Sequence, residues 1–338
     1  MYFSKIKTTG CFVPEKVVKN DELTAFIETS DEWIRTRTGV GQRHISTKDN
    51  TSQIASKAAL NMIEKGNINP LDIELIIVGT VSADYTTPST ACLVQAEIGA
   101  KNAHAFDVTA ACSGFVYGLS VADKFIKSGT YKNALVIGAE VLSKMVDWSD
   151  RTTCVLFGDG AAGVYLERAE KGGILCEDMG SDGMSASSLT AGFKAPFNAF
   201  NTIEKKMPTY IEMDGRAIFQ FATRTIPKSV IALMEKANVK PEEIRYVVPH
   251  QANSRIVEII SRKVNIPLEK FYLNMFYYGN TSSASIPIAL NEMNEKGMLQ
   301  KGDKIILTGF GGGLTWGSVL IEWLEYKRIF DILVNINF

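Results

Sequence analysis

Met62-Ile-Glu-Lys-Gly-Asn-Ile-Asn-Pro70-Leu-Asp-Ile73 lies, after a shift of 171 positions, over Leu233-Met-Glu-Lys-Ala-Asn-Val-Lys-Pro241-Glu-Glu-Ile244 without a gap. Glutamate, lysine, asparagine, proline and isoleucine coincide. The same shift lays Ile76-Ile77 on Val247-Val248, and Ala134-Leu-Val-Ile-Gly138 on Ile305-Ile-Leu-Thr-Gly309, two β-rich runs that each end in glycine. Self-similarity at a constant offset marks a repeated unit. The chain reads as two similar halves, residues 1–170 and 171–325, joined in one compact unit. A tail, 326–338, extends past them and is apolar enough to pack on the surface or pair with a strand.

Within each half, helical periodicity alternates with short apolar runs. Ser52 to Gly66 carries apolar or small residues at helical spacing, and Leu75 to Val78 has the look of a buried strand. Phe115 to Lys127 reads as a helix stopped by Ser128-Gly129, and the strand Ala134 to Ile137 follows. Such alternation predicts an α/β fold with substantially buried sheets. The loosest stretch, Gly180 to Met207, is rich in Ser, Gly, Ala and Asn; it is expected on the surface, where a loop covering a substrate could sit.

Composition narrows the function classes. At 338 residues, 46% hydrophobic and 22% charged, the chain can bury a large core, so disordered and fibrous classes are excluded. With 36 basic against 37 acidic residues the formal net charge is -1, which argues against a nucleic-acid partner. The apolar runs are too short for the roughly 20 residues a membrane helix needs, and no signal-peptide pattern opens the chain, so a cytoplasmic protein is expected. Cys11, Cys92, Cys112, Cys154 and Cys176 are scattered without CxxC spacing, which predicts free thiols and no metal site.

Cys112 has the most informative surroundings, Ala105-Phe-Asp-Val-Thr-Ala-Ala-Cys-Ser-Gly-Phe115: an apolar strand, small residues, then a helix starting near Gly114. An elbow of this kind exposes a side chain at a helix N-terminus, where the dipole favours thiolate. Of three histidines, His250 repeats this placement between Ile244-Arg-Tyr-Val-Val-Pro249 and the helix start Gln251-Ala-Asn-Ser-Arg255. His44 and His104 read as structural or exposed. Asn280, in Gly279-Asn-Thr-Ser-Ser-Ala284, stands at a third such junction, where a helix cap is the competing reading. Gly309-Phe-Gly-Gly-Gly-Leu-Thr-Trp-Gly317 lies between two strand patterns, with Leu314 where a dinucleotide loop needs its third glycine. The glycines fit an oxyanion hole better than a Rossmann site.

These motifs, in this order, resemble the β-ketoacyl-[acyl-carrier-protein] synthase III enzymes of the thiolase superfamily, from about Phe3 to Trp323. The resemblance implies a thiolase-like five-layered αβαβα sandwich and a chain-initiating decarboxylative condensation in fatty-acid biosynthesis. Cys112 would take the acyl group from acyl-CoA, with the N–H groups of Cys112 and Gly312 as oxyanion hole. Malonyl-acyl-carrier protein would then lose CO2, with neutral His250 and Asn280 holding the enolate. It further implies CoA contacts at Thr29, Trp33, Arg37, Arg151 and Asn253, and carrier-protein docking at Gln251, Ala252, Asn253, Ser254 and Arg255. A homodimer is implied, with acyl-CoA as substrate and no permanently bound cofactor. Two positions depart from the family. Gln220 replaces a frequent docking lysine, for which Arg224, one helical turn on, would compensate. Thr87 stands where many relatives carry a phenylalanine that lines the partner subunit's acyl pocket, which predicts a roomier pocket.

Three other readings compete. A specialised synthase of the same fold would use the triad on another acceptor in secondary metabolism. Papain-like hydrolases share the order Cys, His, Asn but carry a Cys-Gly-Ser-Cys-Trp type signature that this chain lacks. A binding protein on an inactivated thiolase fold would need a broken triad, and all three members are present.

Overall fold

The computed structural model describes residues 2–196, 198–200 and 210–324. The 326–338 tail and part of the 180–207 segment lie outside them. A five-stranded sheet runs in the order β1 (Phe3–Phe12), β7 (Gly160–Ala169), β6 (Asn133–Glu140), β4 (Leu75–Gly79), β5 (His104–Val108). A four-stranded sheet follows the same plan: β8 (Gly173–Ser181), β13 (Thr315–Glu322), β12 (Lys304–Gly311), β11 (Ile244–Pro249). Its fifth place is taken by an isolated parallel bridge between Val247 and Phe271. Two short pairs stand apart, β2 (Lys16–Lys19) with β3 (Gln42–Ile45) and β9 (Leu189–Thr190) with β10 (Glu212–Met213).

Helices fill three layers around the sheets. The outer face of the first sheet packs against α2 (Thr51–Gly66) and α3 (Thr90–Glu97), and that of the second against α5 (Gly215–Ala237) and α6 (Ser254–Val264). Between the sheets lie α4 (Gly114–Ser128) and α8 (Ser285–Glu295). The smaller α1 (Asp31–Thr38) and α7 (Met275–Tyr278) flank the sandwich. Successive strand side chains point to opposite faces, and the core follows that rule. Leu75 and Ile77 join the central cluster, while Ile76 and Val78 join the outer one. A strand buried on both faces has no polar positions, which is why this run is uniformly apolar.

The offset of 171 is written into the backbone. Three-residue 3-10 turns occur at Pro70–Asp72 and Pro241–Glu243, and again at Ala111–Ser113 and Ser282–Ala284. Asn67 and Asn238 close α2 and α5 in left-handed conformations, and Ala111 (φ 46°) and Ser282 (φ 47°) open the second pair of turns. Gly138 and Gly309, the glycines that end the two matched runs, pack crosswise. A Cβ on Gly138 would stand 2.2 Å from the Ser283 carbonyl oxygen, and one on Gly309 would stand 3.2 Å from that of Cys112. Each half thus needs a glycine to admit the other half's turn.

Candidate active site

Cys112 occupies the turn between β5 and α4 and is 7% exposed. Its neighbour Ala111 sits in the left-handed region, which costs a non-glycine residue on the order of 1 kcal/mol and bends the chain sharply enough to aim the next side chain inward. A Cβ on Gly311 would fall 2.5 Å from the Cys112 nitrogen, so glycine there lets β12 close over the turn. The expectation of a thiolate at rest is corrected by the surroundings. Burial pushes the thiol up to about 12, the charge of Glu140 adds to that, and a hydrogen bond with Ser282 opposes it. A helix N-terminus supplies roughly 0.3–1 kcal/mol, less than one pKa unit, and burial wins. Cys112 therefore rests as a neutral thiol.

His250 follows β11, its N–H donating to the Thr308 carbonyl at 2.7 Å, and the ring stands edge-on to Phe310 with centroids 5.3 Å apart. Burial lowers its pKa to about 3, so the imidazole is neutral. Nδ1 lies 2.7 Å from the Ser285 hydroxyl, which also accepts the Gln251 N–H at 3.4 Å. In the tautomer where the Ser285 O–H donates to Nδ1, the imidazole proton rests on Nε2. Asn280 is 7% exposed and fixed by backbone bonds to Leu156 and Gly158. Its Oδ1 accepts the Ser282 N–H at 2.8 Å, which leaves its amide N–H groups as donors. It closes the 3-10 turn and is not the cap of α8, whose N-cap is Ala284.

A cavity of about 320 Å³ opens onto Cys112, and Gly312, Ser282, Phe157 and Leu189 line it. Leu189, Thr190 and Ala191 bring the segment after β8 to its wall, so this part of the loose stretch lines the cavity. Trp33, Arg37 and Arg151 meet in the fold: the two guanidiniums lie 4.6 and 4.8 Å from the Trp33 ring centre. Asn253 donates from Nδ2 to the Arg37 carbonyl at 2.8 Å while its Oδ1 caps α6. Thr29 lies close by in sequence with a buried hydroxyl that has no hydrogen-bond partner. Thr87 is exposed, away from this cavity.

Of the five docking positions, Arg255 is exposed and Ala252, Asn253 and Ser254 are half-buried. Gln251 is a correction. It is 1% exposed, its amide donates to the Pro249 and Tyr272 carbonyls, and its Oε1 accepts from Asn274 and Met275. It braces the loop after His250 and presents nothing to a partner. Sequence reasoning missed Glu140, Ser282 and Ser285. The one available signal was a carboxylate ending the apolar run Ala134–Glu140, a place where an unpaired charge is costly.

Comparison with known proteins agrees with this architecture. Residues 106–183 match the family profile "3-Oxoacyl-[acyl-carrier-protein (ACP)] synthase III" and residues 234–323 its C-terminal counterpart. Curated β-ketoacyl-[acyl-carrier-protein] synthases III from Clostridium acetobutylicum and Streptococcus mutans are 49% and 50% identical, covering 94% and 95% of this chain and 98% and 100% of theirs. The crystal structure of the Aquifex aeolicus 3-oxoacyl-[acyl-carrier-protein] synthase III has a TM-score of 0.89 at 46% identity, over 95% of this chain and 100% of that one. A priming β-ketosynthase of the R1128 polyketide pathway has the same TM-score at 29% identity, over 96% of this chain and 97% of that one. Fold and matches define the class: a condensing acyltransferase on the thiolase-like five-layered fold. The chain belongs to the β-ketoacyl-[acyl-carrier-protein] synthase III family, and its reaction is the chain-initiating condensation of fatty-acid synthesis.

Proposed function

We propose that Cys112 accepts a short acyl group from acyl-CoA and that the acyl-enzyme condenses with malonyl-acyl-carrier protein. The thiol attacks the thioester carbonyl, and the N–H groups of Cys112 and Gly312 take the negative charge that develops on oxygen. Loss of CO2 from the malonyl group then leaves an enolate, which accepts hydrogen bonds from Nε2–H of His250 and the amide of Asn280. A neutral imidazole with its proton on Nε2 suits this role, because it donates without competing for a proton. The carbanion attacks the acyl group to give the β-ketoacyl product and frees Cys112. The observation that carries the reading is the meeting of Cys112, Gly312 and the Ser282 turn in one apolar cavity.

Trp33, Arg37 and Arg151 are assigned to the adenine and phosphates, a purine on Trp33 replacing one of the guanidiniums there. Thr29 and Asn253 complete the CoA contacts. Arg255 on α6 and Arg224 on the adjoining α5 are both exposed and supply positive charge for an acidic carrier. We assign a homodimer through β5, an edge strand whose outer side pairs with no other strand among the described residues. On this reading Thr87 reaches the partner's pocket and leaves it wide, residues 1–170 and 171–325 act as one fused pair, and the enzyme works in the cytoplasm without a resident cofactor. Identities of 46–50% to fatty-acid enzymes against 29% to the polyketide enzyme favour primary over secondary metabolism.

Incubation with radiolabelled acyl-CoA, followed by peptide mapping, tests the assignment. Label on Cys112 that malonyl-acyl-carrier protein discharges as β-ketoacyl product is expected, with none on Cys112→Ser. Label elsewhere, or unchanged product from the variant, overturns it.

A further inference from the structure

The two N–H groups assigned to the oxyanion hole come from different halves of the chain, Cys112 from the elbow after β5 and Gly312 from the turn between β12 and β13. Among the described residues no backbone hydrogen bond joins the elbow to that turn. Two hydroxyls do. Ser113, directly after Cys112, is 0% exposed, and its Oγ lies 2.7 Å from the Ala110 carbonyl oxygen. Thr315, at the start of β13, brings its Oγ1 to 2.9 Å from the same carbonyl oxygen and 3.1 Å from that of Gly312. The two hydroxyl oxygens are 2.6 Å apart.

Each hydroxyl has one proton to give, and two oxygens this close need a proton between them. If Thr315 gives its proton to Ser113, that of Ser113 goes to Ala110. If Ser113 gives its proton to Thr315, that of Thr315 goes to Ala110 or to Gly312. In either arrangement both protons are used between elbow and turn, and none is left for the cavity that Thr315 lines. The anchored carbonyls are well placed for this. Ala110 stands two residues before Cys112, across the left-handed Ala111, and the Gly312 carbonyl belongs to the residue whose N–H the hole uses.

We propose that Ser113 and Thr315 are positioning residues, a two-hydroxyl clamp that fixes the spacing of the Cys112 and Gly312 N–H groups and so sets how well the hole holds the oxygen of the tetrahedral intermediate. The demand is strict. Donors stabilise the developing charge only from about 2.7–3.1 Å, and a displacement of about 1 Å costs roughly a hundredfold in rate. Gly311 and Gly312 have no side chains to wedge the turn in place, and Gly311 meets the Cys112 nitrogen as bare backbone. A hole assembled from two halves of a chain needs a fastening, and these hydroxyls supply it.

The inference rests on the oxyanion hole and the nucleophile proposed above, and the experiment separates the three. Acyl-CoA isotopically labelled at its carbonyl is mixed with the parent, Thr315→Val, Thr315→Ser and Ser113→Ala. Rapid quenching gives the rate and KM of acylation, and infrared difference spectra give the carbonyl band of the acyl-enzyme. Alkylation of Cys112 by iodoacetamide is the control, because that displacement builds no oxyanion. Thr315→Val is expected to slow acylation roughly tenfold to a hundredfold with KM little changed, and to raise the carbonyl frequency as the donors draw away. Thr315→Ser, which keeps the hydroxyl, is expected to restore most of the rate and the parent's band. Ser113→Ala is expected to fall between, since Thr315 then has one proton for two carbonyls. Alkylation is expected to proceed alike in all of them. Circular dichroism verifies folding, and Thr315→Ala takes the place of Thr315→Val if the latter does not fold. A folded Thr315→Val with the parent's acylation rate and carbonyl band overturns the clamp, and so does a loss that alkylation shares in proportion. A parent band equal to that of the free thioester overturns the oxyanion hole instead, and acyl label absent from Cys112 in the parent overturns the nucleophile.

Discussion

At the residue scale, the site works by withholding charge. Cys112 and His250 are both buried and both neutral at physiological pH, in each case because burial disfavours the charged form. The burial of His250 has a consequence for stability. Its folded pKa, about 3, lies below the ordinary 6.5, so the unfolded chain binds a proton that the folded one refuses. The contribution is fully present above pH 6.5 and is lost as pH falls toward 3; between pH 7 and 5 it amounts to about 2 kcal/mol. Denaturation curves at the two pH values are expected to draw closer in His250→Gln by that amount, and an unchanged gap would contradict the burial. Asn280→Ala is expected to leave the acyl-CoA burst intact while slowing malonyl decarboxylation by roughly a hundredfold. Equal losses in both half-reactions would place Asn280 elsewhere in the cycle.

Elements carry the next level of argument. The two matched strands end in Gly138 and Gly309, and the crosswise packing explains a coincidence that the sequence displayed without a cause. Gly138→Ala would press a methyl carbon on the Ser283 carbonyl, which a side-chain rotation cannot relieve. A loss of about 1–3 kcal/mol is expected in chemical denaturation. Gly311→Ala meets the Cys112 backbone nitrogen in the same way and is expected to abolish acylation together with a similar stability loss. The helices and buried strands were foreseeable to within a few residues, because Gly129, Pro70 and Pro241 punctuate them and apolar runs fill them. The turns Ala111–Ser113 and Ser282–Ala284 were not, since neither Ala111 nor Ser282 belongs to the residue types that advertise a left-handed conformation.

For the whole molecule, the exposed features bear on partners. Arg224 and Arg255 are exposed on the adjoining helices α5 and α6, and Arg255→Glu is expected to raise KM for malonyl-acyl-carrier protein about tenfold, with the acyl-CoA burst unchanged. Rising salt should erase the difference between the two proteins. Thr87 is exposed in the chain, which the proposed reach into a partner's pocket requires. Thr87→Phe is expected to shift rates from branched and longer acyl-CoA toward acetyl-CoA, and indifference to the substitution would remove Thr87 from the pocket.

Sequence alone determined the α/β class, the duplication, the elbow that carries Cys112 and the motifs that placed His250 and Asn280 beside it in function. These follow from local chemistry: periodicity, punctuation and an offset of 171 that any reader of the chain can measure. The protonation states of Cys112 and His250 were decided only by tertiary structure. A pKa depends on how much water and which dipoles surround a group, and those neighbours come from residues as much as 170 positions away. The same reason corrected the expected thiolate and turned Gln251 from a docking residue into a brace.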